Sequence, residues 1–156
     1  MSLIQELLNQ EAVGRFLSSQ EMKRFSPAEI RETIQALVAN EQIALANALG
    51  DAGLSLYPHS EDILAITSLL AMTNEDWPLA VELMQDLMEV QGEHVTPFTY
   101  VMMVRALRCN LDPEAAVHMV HRGLKAYPGQ LELVAEKLAL DDYCGALQPD
   151  HKGLAH

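Results

Sequence analysis

Between Arg31 and Arg105 this chain has no lysine and no arginine, while Glu32, Glu41, Asp51, Glu61, Asp62, Glu75, Asp76, Glu82, Asp86, Glu89 and Glu93 all fall in that stretch. A phosphate backbone is held by clustered cations, so a formal net charge of −12 distributed in this way argues against nucleic acid as a partner. Long apolar runs are missing as well. None approaches the roughly 20 residues that a membrane-spanning helix requires, which argues against insertion into a bilayer. The opening residues Met-Ser-Leu-Ile-Gln-Glu contain Glu6 and no basic leader, from which a cytoplasmic address is expected. Cysteine is scarce: Cys109 and Cys144 are too few for a disulfide framework or a zinc knuckle, and free thiols in a reducing compartment are expected.

Signatures of chemistry are equally thin. The chain carries no glycine-rich phosphate loop, nucleophile elbow or spaced cysteine pairs, so no enzyme and no cofactor are expected. His118 and His121 lie three apart with Glu114 one turn earlier, but no ligand from a second helix is evident, and no metal site is expected. Asp141-Asp142-Tyr143-Cys144 holds reactive groups without a recognisable arrangement.

What the chain does have is repetition. Ala46 to Pro58 returns as Ala80 to Gly92 and again as Ala116 to Pro128, at spacings of 34 and 36 residues. In each copy an alanine is followed by Leu49, Leu83 or Met119, then by Leu54, Met88 or Leu124, and a proline or glycine closes the segment. Such a period belongs to stacked helical hairpins. Glycine (8) and proline (7) are few, and Ala, Leu, Met, Glu and Gln dominate, which gives an all-α class. At 156 residues one domain is expected, with about 70% of the unfolded chain's surface hidden on folding.

In chain order, Ser2 with Gln5 reads as a capping box opening an N-terminal helix to about Leu17, with an apolar stripe of Leu3, Ile4, Leu7, Leu8, Val13, Phe16 and Leu17. Residues 1–25 form this cap, which either closes the open end of the repeats or pairs with a second copy. Ser26-Pro27-Ala28-Glu29 starts the first hairpin, which carries Ile30, Ile34, Leu37 and Val38, pauses near Asn40 and runs through Ile43, Ala46, Leu49 and Leu54 to Tyr57-Pro58. Ser60 starts the second, with Ile63, Leu64, Thr67, Leu70 and Ala71, a turn at residues 74–77 anchored by Trp77, and a descent through Ala80, Leu83, Met84, Leu87 and Met88. Thr96-Pro97 opens the third with Tyr100, Met103, Val104 and Leu107, and Asp112-Pro113-Glu114 starts its second helix. A closing helix over residues 130–143 shows Leu131, Val134, Ala135 and Leu138 as its apolar face, and the tail 148–156 is expected to be disordered.

Across residues 28–142 the chain resembles the tetratricopeptide repeat (TPR) family. The matched features are Ala46, Ala80 and Ala116, then Gly53, Leu87 and Gly123 seven residues later, and the terminal Pro58, Gly92 and Pro128. Small residues are needed where helices cross at close range. The family's first-helix Trp and close-contact Gly are replaced by Ile30, Leu64 and Tyr100, and by Ile34, Ser68 and Val104, which makes this a degenerate member. The resemblance implies a right-handed superhelix of three hairpins over 28–128 plus a capping helix, with a concave groove lined by the first helix of each pair.

It also implies which residues face inward: Arg31, Gln35, Val38, Asp62, Ala65, Leu69, Met72, Phe98, Val101, Arg105 and Arg108. Ala65, Leu69 and Val101 occupy the places where carboxylate-clamp cochaperones of the family put polar and basic groups, so that mode of binding is set aside. A floor of Leu69, Met72, Phe98 and Val101 suits an amphipathic helix or an extended apolar segment of a protein partner. A small, acidic, degenerate three-repeat chain looks like the bacterial type III secretion chaperones that hold needle or translocator subunits. The reading is therefore a cytoplasmic chaperone, and its alternative is a homo-oligomeric scaffold, down to a homodimer, built with the N-terminal helix. Glu82, Asp86, Glu89 and Glu93 recur at helical spacing as an acidic face, either solvated or docking a basic partner.

Overall fold

The computed structural model describes residues 23–147. Seven α-helices follow one another: α1 (Pro27–Ala39), α2 (Ile43–Leu56), α3 (Glu61–Thr73), α4 (Trp77–Gln91), α5 (Pro97–Cys109), α6 (Pro113–Ala126) and α7 (Leu131–Leu147), with a 3-10 turn at Gly92–His94. Among the described residues there is no strand. The proposed N-terminal helix and the tail 148–156 lie outside the described residues.

Five of the seven helix starts are fixed by a capping side chain; α2, which follows Gln42, has none. Ser26, Ser60, Asp76, Thr96 and Asp112 all accept a hydrogen bond from the amide three residues on, satisfying a donor that the first turn leaves orphaned. The Ser26 hydroxyl also donates to the Glu29 carboxylate, so Glu29 reaches back to the capping side chain. The turns inside the hairpins are three copies of one device that the sequence reading overlooked. Asn40, Asn74 and Asn110 end the first helices, and the next residue, Glu41, Glu75 or Leu111, adopts a left-handed φ of 60°, 58° or 59°. The residue after that bonds back to the carbonyl five earlier: Gln42 to Leu37, Asp76 to Ala71, Asp112 to Leu107.

The chain divides into two compact units, one up to Gly92 and one from Glu93. In the first, α1, α2, α3 and α4 pack as two hairpins around Ile30, Ile34, Leu37, Ala46, Leu49, Ile63 and Leu70, with Phe25 closing one end. Gly50 and Gly53 let α2 lie against α3: a methyl on Gly53 would meet Ile63 Cδ1 at 3.2 Å, and one on Gly50 would meet Leu70 Cδ1 at 3.1 Å. In the second unit α5 and α6 form the third hairpin and α7 packs on both. Gly123 plays the same part there, facing Leu133 and Tyr100.

Two tyrosines tie each unit's first hairpin shut. The Tyr57 hydroxyl donates to the Phe25 carbonyl at 2.7 Å, and the Tyr127 hydroxyl donates to the Val95 carbonyl at 2.6 Å. Both span 32 residues from the end of a second helix to the residue before the N-cap. Gln91 holds the matching place in the second hairpin and makes no such tie with its buried side-chain oxygen. The closing helix differs from expectation in length and in orientation. It runs to Leu147 rather than residue 143, and its buried face is Leu133, Glu136 and Leu140. Leu131, Val134, Ala135 and Leu138 point the other way, because α5 and α6 occupy only the Leu133 side of the helix.

Candidate functional site

Neighbouring first helices of the first unit, α1 and α3, bring together four of the expected inward residues, Gln35, Val38, Leu69 and Met72. Val38, the next-to-last residue of α1, Leu69 and Met72 line an open cleft of about 390 Å³ with Gln35, Ile66, Leu70 and Thr73. The periodicity explains why: α1 buries Ile30, Thr33, Ile34 and Leu37, which leaves Val38 half-covered on the adjoining stripe. Leu69 and Met72 stand beside the buried Leu70 and Ala71 in the same way. The floor is aliphatic and thioether, and the Gln35 amide and the Thr73 hydroxyl supply polar groups at its edge. Thr73 already donates to the Leu69 carbonyl, which leaves its oxygen lone pairs to accept.

The charged inward positions are engaged within their own units. Arg31 forms an ion pair and hydrogen bond with Asp62, joining α1 to α3. In the second unit Arg105 Nε donates to Glu136 Oε1 at 2.7 Å, its terminal nitrogen lies 3.9 Å from Glu132, and Arg108 approaches the other Glu136 oxygen at 3.4 Å. Both pairings run between first helices of successive repeats across 31 residues, and Glu136 is itself buried, so its charge is matched by two half-exposed guanidinium groups. Sequence reading put Asp62, Arg105 and Arg108 at the disposal of a partner. Each joins two helices, and for Arg105 and Arg108 the reason is the buried Glu136, since a buried carboxylate is stable only when paired.

The remaining expected residues divide further. Ala65 is half-buried on α3 outside the cleft lining. Phe98 and Val101 belong to the second unit, where Phe98 is 47% exposed and Val101 is buried. Val101 is thus a packing residue rather than a ligand contact, a correction that the small-residue stacking around α5 explains: Ala106, Ala116 and Gly123 are buried there too.

The acidic face also needs correcting. Glu82, Asp86 and Glu89 are exposed along α4, but Glu93 leaves it: the helix ends at Gln91, and Gly92, at φ 60°, turns the backbone before Glu93. Asp86 and Glu89 line a shallow depression of about 400 Å³ with Pro58, His59 and Val90. His118 and His121 are exposed beside Asp112 and Glu114, and among the described residues no group of three or more His, Cys, Asp or Glu side chains is placed to hold a metal ion. No helix among the described residues is long and apolar enough to cross a membrane.

No protein-family model matches this chain, and no curated protein matches it in sequence. Solved structures of MamA do resemble it. A MamA RS-1 ArsTM double mutant has a TM-score of 0.69 at 15% identity, the match covering 96% of this chain and 83% of that one. MamA 41-end from Desulfovibrio magneticus RS-1 gives 0.69 at 15% identity over 98% and 85% of the two chains, and MamA MSR-1 C2 gives 0.68 at 15% over 92% and 81%. At such identities the likeness is one of fold, and that fold is the all-helical, TPR-like one expected from the repeat.

Proposed function

We infer that this protein is a protein-binding module whose cleft between α1 and α3 takes an apolar segment of a partner, with no turnover. The observation that carries this reading is the cleft itself: Val38, Leu69 and Met72 are apolar, half-buried and grouped around an open volume of about 390 Å³. Helix-in-groove recognition uses that combination, with Met adapting its shape to the inserted side chains. Two or three anchors one helical turn apart suit the length of cleft offered by two adjacent helices. The structural likeness to MamA supports a hairpin scaffold suited to binding; it says nothing about the partner.

The narrower reading is a cytoplasmic chaperone for an exported helical subunit, as in type III secretion. Size, acidity and the apolar cleft support it. Its test is affinity capture from the native organism with wild type and Leu69→Glu. Recovery of a secreted helical protein by wild type alone supports the chaperone reading, and equal recovery by both removes the cleft from consideration. A scaffold reading is favoured by a separate observation, the apolar outer face of α7.

A further inference from the structure

The solvent-facing stripe of the second helices recurs in position but not in charge. Ala80, Leu83, Met84 and Leu87 on α4 and Ala116, Met119, Val120 and Gly123 on α6 are the buried residues of their helices at a constant offset of 36 residues, which fixes the register between the two. In that register Glu82, Asp86 and Glu89 correspond to His118, Arg122 and Lys125. All six side chains are exposed. In α2 the same three places belong to Ala48, Ala52 and Ser55, so the stripe is neutral in the first hairpin, acidic in the second and basic in the third.

Each charged stripe is unfavourable where it stands. Residues four and three apart share one helix face, and like charges at that spacing destabilise the helix that carries them. Neither helix offsets this internally: among the described residues none of Glu82, Asp86, Glu89, Arg122 and Lys125 forms an ion pair, whereas Arg31, Arg105 and Arg108 all do. A face that meets only solvent is more stable with alternating signs, which pair one turn apart. Here the signs are sorted onto separate helices.

The flanks of the stripes match as well. Leu79 and Val90 stand at the two ends of the acidic stripe, 40% and 39% exposed, and their counterparts in the same register of α6 are Ala115 and Ala126. Large aliphatic groups on one face thus correspond to small ones on the other. Exposed ion pairs alone hold two surfaces weakly and mainly set their register, so the covering of Leu79 and Val90 supplies the apolar contact that the charges lack.

We propose that the outer face of α4 docks on the outer face of α6 of a second copy of this chain, the acidic stripe lying along the basic one with Leu79 and Val90 against Ala115 and Ala126. Charge complementarity identifies the occupant: each stripe meets its opposite, at its own spacing, on another molecule of the same protein. Asp86 and Arg122 are the middle members of their stripes, so they face each other whichever way the two helices run. The contact uses neither the cleft between α1 and α3 nor α7, and it stands independently of the binding reading above.

The test is sedimentation velocity of the full-length chain over a range of concentrations. Wild type is expected to gain mass with concentration at about 0.02 M salt and to lose that gain at about 0.5 M, where the screening length is about 4 Å. Asp86→Arg and Arg122→Asp each turn an attraction into a repulsion and should weaken association roughly tenfold. An equimolar mixture of the two variants restores opposite charges in both mixed contacts and should associate more tightly than either alone. The double variant should match wild type. Both positions are exposed, so circular dichroism should show wild-type helicity throughout. A wild type that gains no mass with concentration, a gain that salt leaves unchanged, or a double variant no tighter than the singles overturns the proposal.

Discussion

Gly123→Ala sets two effects of similar size against each other, and the structure decides which prevails. Gly123 lies inside α6, where alanine in place of glycine favours helix by about 1 kcal/mol. The added methyl, however, would sit 3.0 Å from Leu133 Cδ1, 3.1 Å from Tyr100 Cγ and 3.2 Å from Tyr100 Cβ. Leu133 is buried, and Tyr100 is held both by its own backbone and by an edge-on contact with Tyr127, with ring centroids 6.2 Å apart. Relief must come from moving α5 or α7 as a body, and overpacking of that kind costs about 1–3 kcal/mol. The net expectation is a loss of roughly 1 kcal/mol, or about 2–4 °C in Tm for a chain of this size. Gly50→Ala is the control. Its methyl would meet only the flexible end of Leu70 at 3.1 Å and Thr67 Cγ2 at 3.4 Å, so the helix-forming gain of up to about 1 kcal/mol should show as an unchanged or raised Tm. Thermal unfolding by circular dichroism reads both variants, and Trp77 fluorescence follows the first unit separately. A Gly123→Ala protein at least as stable as Gly50→Ala would refute the close-packing argument.

The tyrosine ties should each be worth about 1 kcal/mol, so Tyr57→Phe and Tyr127→Phe are expected to lower stability in urea titrations by that amount without changing helicity. Leu111 is 80% exposed in a left-handed conformation that disfavours its side chain; Leu111→Gly should raise stability by roughly 0.5–1 kcal/mol, and a fall would show that the leucine has a packing role. Glu136→Gln leaves Arg105 and Arg108 without their shared anion and should cost about 1–3 kcal/mol, measured by denaturant midpoint. Leu69→Glu places a charge in the open cleft and should leave Tm within about 2 °C while abolishing partner capture, since half-exposed positions tolerate such changes.

The sequence by itself determined the local structure. Capping residues and apolar residues at three- and four-residue spacing act over one or two turns of chain, so the starts of α1, α3, α5 and α6 were legible from Ser26, Ser60, Thr96 and Asp112, and the ends of α1, α2 and α6 from Asn40, Tyr57-Pro58 and Pro128, whereas the left-handed turns after Asn40, Asn74 and Asn110 were not. The 34- and 36-residue period gave the hairpins, because small residues must recur where helices cross. Part of the cleft lining followed from the repeat: Val38, Leu69 and Met72 meet because their helices are neighbours one repeat apart. Only the tertiary structure decided the rest. Which side of α7 is buried depends on where α5 and α6 lie, and the helix pattern itself is ambiguous when both sides are apolar. Likewise Arg31, Arg105 and Arg108 read as free cations along the chain. Their carboxylate partners on the next repeat lie 27 to 31 residues away, a separation that side-chain reach within one helix cannot reveal and that packing of successive repeats brings within hydrogen-bonding or ion-pair range.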